Sequence, residues 1–163
     1  VLTNLHLQQL YNEHQPSLLN FAIYLVGNRE DSLEIVNDVY VSLWQNRKSF
    51  SQIKAIKSYL FSSVKNRSIN HIKKKKLEVT NLWPENEQST FRADAGIEEK
   101  EHQTALENLM NELPPKCKQV FAMSRIDQLS YAEIAELLDI SIKTVESQMG
   151  KALKLFRKKM GVK

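Results

Sequence analysis

The sequence predicts an all-α fold: two small helical domains joined by an acidic linker, the C-terminal one a helix-turn-helix. Three observations predict it. The 163 residues include only 4 Gly and 4 Pro, too few turn residues for a sandwich or barrel of many short strands. Apolar residues recur at three- and four-residue spacing in most segments, and nothing reads as a strand. Charge is divided by position. Residues 1–76 hold 11 Lys/Arg against 5 Asp/Glu, residues 77–103 hold 2 against 7, and residues 104–163 hold 10 against 7. The net charge of +4 thus conceals two basic blocks flanking an acidic bridge. A basic surface points to a polyanionic partner. With 42% hydrophobic and 26% charged residues, the composition is that of a folded chain and excludes general disorder.

The elements follow in order. Leu5, Leu10, Tyr11, Leu18, Phe21, Ala22 and Leu25 mark one or two amphipathic helices, bent near Pro16. Gly27-Asn28 reads as a C-cap and turn. Val36, Val39, Tyr40, Leu43 and Trp44 fall at i, i+3, i+4, i+7 and i+8, which predicts a helix over 31–47. Residues 45–55 are polar and irregular, and a long helix follows over about 57–76. Residues 77–103 combine weak periodicity with Pro84, Gly96 and seven acids, the composition of a flexible or partly ordered linker. The helical pattern returns with Ala105, Leu106, Leu109, Met110 and Leu113, and Pro114-Pro115 breaks it. Further helices are predicted over about 116–126, 131–138 and 142–160.

Several function classes drop out. The single cysteine, Cys117, excludes an intrachain disulfide framework and any multi-cysteine metal site. His6, His14, His71 and His102 form no ligand pair at helical spacing. No apolar run approaches the ~18 residues of a membrane span, and the N-terminus lacks a signal peptide's apolar stretch. A cytosolic protein without membrane insertion is expected. No carboxylate pair, His/Cys arrangement or glycine loop of catalytic type is present. The expectation is therefore a non-enzyme with no cofactor and no metal.

The most specific signal runs from Ser130 to Arg157. Tyr131, Ile134, Ala135 and Leu138 form the apolar side of a two-turn helix, with Ala135 small enough for a second helix to cross closely. Asp139-Ile140-Ser141 makes a three-residue turn, with Ile140 directed to the core and Ser141 as the next N-cap. At ~100° per residue, Val145, Met149, Ala152 and Phe156 fall in one narrow sector of the last helix. Lys143, Ser147, Gly150, Lys151, Lys154 and Lys158 lie opposite, flanked by Glu146 and Gln148. Small polar groups near the N-terminal half and lysines beyond it suit a recognition helix, which reads base edges while its cations meet phosphates. The bland alternative is a solvated helical face. Gly150 costs roughly 1 kcal/mol in mid-helix relative to Ala; a close backbone approach to DNA explains it, and so does drift.

The helix over 57–76 sorts in the same way. Leu60, Phe61, Val64, Ser68 and Ile72 share one side; Tyr59, Ser63, Asn66, Asn70 and Lys73 share the other, with Lys65, Arg67 and Lys74–Lys76 adding charge. Amides pair with base edges and aromatics stack on bases removed from a duplex. Phe50, in the loop Lys48–Gln52, either borders a pocket for such a base or anchors the loop in the core. Glu34, Asn37 and Asp38 give the 31–47 helix an acidic-polar face that would oppose DNA, so a protein partner fits it better, with plain surface as the alternative.

In order, Glu34–Trp44, Lys57–Lys73, Leu113-Pro-Pro, Leu129–Leu138 and Thr144–Leu153 resemble the bacterial extracytoplasmic-function sigma factors, the minimal two-domain type of the sigma-70 family. The resemblance covers nearly all of the chain outside the linker. It implies a sigma2-like domain over 1–76, an acidic linker over 77–103 and a sigma4-like domain over 104–163. It also implies binding to core RNA polymerase, promoter recognition and DNA opening. Glu34, Asn37 and Asp38 match the part that docks on the β′ clamp helices. Phe50, Tyr59, Asn66, Arg67, Asn70 and Lys73 match the part that takes the minus-10 element as a displaced single strand. The last helix matches the reader of the minus-35 duplex: Glu146, Ser147, Gly150 and Lys151 toward bases, Lys143, Thr144 and Lys154 toward phosphates. Leu106, Leu109 and Phe121 are candidates for docking on the β flap, and the linker for a basic channel toward the RNA exit. A membrane-anchored anti-sigma factor, which covers the polymerase-binding surfaces of many members, enters as a further partner. The chain departs from the pattern at Asp139, where Gly is usual, and at Asn70, where an acid is frequent. Glu146 and Gly150 stand at variable positions, so no promoter sequence carries over.

Two other readings stand beside this one. A conventional helix-turn-helix regulator would share the last 60 residues, but its sensor or dimerisation domain has no need of the Tyr59/Asn66/Asn70/Lys73 face. A helical adaptor binding only proteins has no need of two basic blocks.

Overall fold

The computed structural model describes residues 2–50, 56–82 and 105–161. All regular structure among them is helical, and the chain divides into two compact units, Val1–Gly96 and Ile97–Lys163.

In the first unit, α1 (Asn4–Val26), α2 (Arg29–Gln45) and α3 (Ile56–Leu82) pack on one another, each touching the other two. Thr3 caps α1: its hydroxyl accepts the His6 N–H at 3.3 Å, and His6 Nδ1 accepts the Thr3 N–H at 3.5 Å. The helix runs through Pro16 as a single element. Its apolar stripe starts later than the sequence pattern suggests: Leu18, Leu19, Phe21 and Ala22 are buried, whereas Leu5 is 64% exposed. Leu5 lies in the first turn of α1 on a side that faces solvent, although Leu2 just before the helix is buried. Gly27 ends α1 at φ 83°, in the left-handed region that glycine adopts without strain. Asn28 then caps α2, its side chain accepting the Asp31 N–H at 3.0 Å. That cap starts α2 at Arg29, two residues earlier than the apolar stripe alone indicates.

The core of this unit is Leu18, Phe21, Val36, Leu43, Leu60, Phe61 and Val64, all fully buried. Phe21 and Phe61 meet with ring centroids 5.6 Å apart. The Tyr40 hydroxyl donates to the Leu10 carbonyl at 3.0 Å, and its ring lies edge-on to Tyr11. Burial pushes the Tyr40 hydroxyl well above the usual phenol range. Ser68 is buried, and its hydroxyl has no partner among the described residues. A 3-10 turn, Arg47–Ser49, follows α2, and α3 continues six residues past its expected end at 76, to Leu82.

The second unit holds α4 (Ala105–Asn111), α5 (Pro115–Arg125), α6 (Tyr131–Leu138) and α7 (Ile142–Met160). Pro115 opens α5 at the first helical position, where its missing N–H is no loss. Ser130 and Glu133 form a capping box at the start of α6, with bonds of 3.1 and 3.2 Å. Asp139 takes the left-handed conformation at φ 54°, which Asp tolerates better than most residues. Ser141 caps α7, accepting the Thr144 N–H at 3.1 Å. Ile134, Ala135 and Leu137 of α6 are buried; Leu138 and Ile140 are half-buried, so Leu137 takes the core position expected of Leu138. Val145, Met149, Ala152 and Phe156 of α7 are buried as their angular sector requires, and Phe156 meets Phe121 edge to face at 4.7 Å.

Candidate nucleic-acid interface

Burying one sector of α7 leaves the opposite one in solvent. Lys143, Thr144, Glu146, Ser147, Gly150, Lys151 and Lys154 are all exposed, and Gln148 is half-buried at their edge. Among the described residues no ion pair involves Lys143, Lys151 or Lys154. Their charge faces solvent, with Glu146 the only acid among these exposed residues. A Cβ built on Gly150 meets nothing within 4 Å, so no contact inside the unit requires glycine there. The helix is held from behind, where the Cys117 thiol donates to the Gln148 carbonyl at 3.1 Å. Burial pushes that thiol upward, which suits a packing role and not a reactive one.

The polar face of α3 is built differently. Tyr59, Ser63, Asn66, Arg67 and Asn70 line a hollow of about 290 Å³ whose other wall is Val39 and Ser42 of α2. Asn66 and Asn70 are exposed at its rim, and Tyr59 is half-buried. Phe50 lies edge-on against Tyr59 with centroids 4.9 Å apart, so it supports a ring that faces the hollow. Arg67 is half-buried and donates to the Ser42 hydroxyl. Lys73 is exposed further along α3 and does not line the hollow. Next to the loop, the Arg47 guanidinium stacks over Trp44 at 4.3 Å. Ser51 and Gln52 lie outside the described residues, as does the linker beyond Leu82 up to residue 104.

On α2, Glu34, Asn37 and Asp38 are exposed, and Leu33 and Val41 beside them are 36% and 53% exposed. Asn37 accepts from the Tyr11 hydroxyl at 3.4 Å, which ties this face to α1. In the second unit, Leu106 is 50% exposed and Leu109 half-buried, but Phe121 is core, spent on Phe156.

Residue patterns do not single out two features. One is Ser42, which reaches the α3 face from another helix; its i+4 spacing from Asp38 was visible, but its partner was not. The other is a cluster around Asp31, whose carboxylate meets His71 Nε2 at 3.1 Å and Lys75 Nζ at 3.0 Å. The Lys75 hydrogen bond holds the Asp31 carboxyl below the usual carboxylate range; partial desolvation opposes it, and His71 adds to it. The i, i+4 spacing of His71 and Lys75 was the available signal. Among the described residues no group of three or more His, Cys, Asp and Glu side chains is placed to hold a metal ion, and no helix is long and apolar enough to cross a membrane.

Comparison with known proteins agrees with this two-part layout. Residues 10–78 match the model for Sigma-70 region 2, and residues 103–156 match that for Sigma-70, region 4. The RNA polymerase sigma factor SigV of Bacillus subtilis (strain 168) is 26% identical over 146 residues, 89% of this chain and 85% of that one. The ferric citrate uptake sigma factor FecI of Escherichia coli (strain K12) is 26% identical over 171 residues, 98% and 95% of the two chains. In fold, the chain is similar to the sigma factor RpoE of Bartonella quintana, solved in complex with the anti-sigma factor NepR. The TM-score is 0.62 over 95% of this chain and 96% of that one, at 19% identity.

Proposed function

From the premise that this chain belongs to the sigma-70 family, as a sigma factor of the extracytoplasmic-function type that directs RNA polymerase to promoters, we propose how its surfaces divide that work. It forms no bonds itself; the polymerase does the chemistry. The α7 face takes the minus-35 duplex. Ser147, Glu146, Gly150 and Lys151 approach base edges, while Lys143, Thr144 and Lys154 meet phosphates. The α3 hollow takes the minus-10 strand once it is displaced. Asn66 and Asn70 present amides to a base edge, Tyr59 a ring to stack on, with Phe50 behind it, and Arg67 and Lys73 supply charge. Glu34, Asn37 and Asp38 dock on the β′ clamp helices, and Leu106 and Leu109 lie nearest the β flap contact. Phe121 supports that surface from the core.

The observation that carries this reading is the pairing of an exposed, lysine-bearing helix face with a polar hollow on one chain. A helix that fills a groove must protrude; a site for one unstacked base must be recessed. The domains proposed are a sigma2-like region over 1–76, a linker over 77–103 and a sigma4-like region over 104–163. The linker's acids suit a channel lined by cations, with its first residues on α3. A cytoplasmic location follows from work on the polymerase. A membrane-anchored anti-sigma factor is the further partner proposed; that the Bartonella quintana sigma factor was solved with an anti-sigma factor supports a partner of this kind, though not its anchor, and a membrane pull-down that recovers none would remove it.

The decisive test mixes the protein with core polymerase and a promoter library. Initiation at defined starts is expected. Absence of both core binding and transcripts would overturn the reading.

A further inference from the structure

We infer that Ser42 is a positioning residue for promoter opening: its hydroxyl holds the Arg67 guanidinium in the wall of the α2–α3 hollow, aimed at one unpaired nucleotide. The inference rests on the proposed role of that hollow and adds a residue from outside the strand-reading helix.

Four observations support it. Ser42 and Val39 are the contributions of α2 to the hollow, and Arg67 lies across from them on α3. The described hydrogen bond of Arg67 goes to the neutral Ser42 hydroxyl. A cation kept for structure is ordinarily neutralised by a carboxylate. The same helix pair shows that arrangement nearby, where Asp31 pairs with Lys75 at 3.0 Å. Arg67 has no such partner among the described ion pairs, so its full charge stays in the wall of a polar recess.

The third observation concerns order. An arginine side chain has several rotatable bonds and loses freedom when it binds. One of its five N–H donors fixed on Ser42 removes part of that loss in advance, and the planar fork keeps the other donors for a ligand. The fourth is placement. Glu34, Asp38 and Ser42 stand at i, i+4 and i+8 on α2, so they follow one stripe of the helix. The stripe that begins at the polymerase-docking carboxylates therefore ends in the wall of the hollow. A polymerase that immobilises this edge of α2 immobilises Ser42 with it, and through Ser42 the cation that receives the strand.

The test uses the full chain with core polymerase and four variants: Ser42→Ala, Ser42→Thr, Arg67→Ala and the Ser42→Ala/Arg67→Ala pair. Three quantities are read for each: affinity for core, affinity for the minus-35 duplex, and capture of a labelled single-stranded oligonucleotide carrying the minus-10 sequence selected from the library. Permanganate reactivity of bubble thymines reports opening. For Ser42→Ala, capture and opening are expected to fall roughly three- to tenfold, the scale of one hydrogen bond to a charged group at a part-exposed site. Core and duplex affinity should hold. Ser42→Thr keeps the hydroxyl and should restore capture to within about twofold. The pair should be no worse than Arg67→Ala alone, because both changes break the same link.

Three results would each overturn the inference: unchanged capture in Ser42→Ala; a Ser42→Thr variant as impaired as Ser42→Ala at an unaltered melting temperature; or multiplying effects in the pair. Should Ser42→Ala unfold, the Thr variant and Arg67→Ala still decide. If the unaltered protein binds no core polymerase, the functional reading falls and the inference with it. If it transcribes while Ser42→Ala captures normally, only the inference falls.

Discussion

The polar faces of α3 and α7 are both amphipathic, cation-bearing surfaces, yet the fold treats them in opposite ways. Along the outward face of α7, Lys143, Lys151 and Lys154 are exposed and make no ion pair among the described residues, although Lys159 at the C-terminal end pairs with Glu112 at 3.2 Å. On α3 two of them are drawn against α2, Arg67 bonding to Ser42 and Lys75 pairing with Asp31, while Lys73 stays exposed. The difference comes from the neighbours. Helix α7 packs along one side only, against α5 and α6. Helix α3 lies against both α1 and α2, and α2 rises beside its polar face to make a hollow. A protruding helix matches a duplex groove; a recess flanked by amides and a ring matches one unstacked base. Similar residue chemistry thus serves two forms of DNA, and the packing decides which.

The strongest way to break the contrast is to remove what shapes the hollow. Phe61 is fully buried against Phe21 beneath the polar face of α3. Phe61→Ala should cost about 3–5 kcal/mol by urea unfolding and abolish strand capture; a cost near zero would mean that the aromatic pair does not set the α1–α3 packing.

The next largest effect separates the two faces directly. Lys154→Ala should weaken minus-35 duplex binding and lower the salt slope by about 0.9 for the lost phosphate contact. Asn66→Ala should leave duplex affinity and its salt slope alone and mainly impair opening, read by permanganate footprints. Intact bubbles combined with lost duplex affinity in Asn66→Ala would reverse the assignment.

A smaller effect sharpens the α7 side. Gly150→Ala should stabilise the fold by about 1 kcal/mol, the helix-propensity difference, because the added methyl meets nothing within 4 Å. If the backbone approaches DNA closely at this point, the same variant loses duplex affinity while its melting temperature rises. Unchanged affinity would mark Gly150 as drift.

The smallest effect lies on the α3 side and depends on pH. The Asp31 carboxyl is held below its ordinary value in the folded chain. Its contribution is therefore complete above the unfolded carboxylate range, about pH 4, and is lost as pH falls through the lower folded value. Asp31 is 26% exposed, so solvent screens the effect. Asp31→Asn should lower stability slightly at neutral pH, leave it nearly unchanged below the folded value, and so flatten the acid limb of the profile; an acid limb identical to that of the unaltered protein would show that the cluster adds nothing.

The legibility of the fold followed the range of the interactions involved. Ser130, Asp139 and Ser141 act on neighbours within a few residues, so the bounds of α6 and α7 were readable, as was the outward face of α7. The extent of α3 was less readable, because Leu77–Leu82 follow a lysine run that masks helical periodicity. The exposure of Leu5 was unreadable for a different reason. Periodicity names a face of the helix, but not where its partner helix ends.

What the sequence alone determined, then, is most of what turns on a helix's own geometry: where the helices run to within a few residues, the caps at Gly27-Asn28 and Ser141, the apolar sector of α7, and the sign of charge along the chain. Only the tertiary structure decided what stands opposite each face. Ser42 meets Arg67 across 25 residues, and Asp31 meets His71 and Lys75 across 40 and 44. The period of a helix fixes angles within it, but angles and distances between helices come from side chains interdigitating across their contact, which no single stretch of chain encodes.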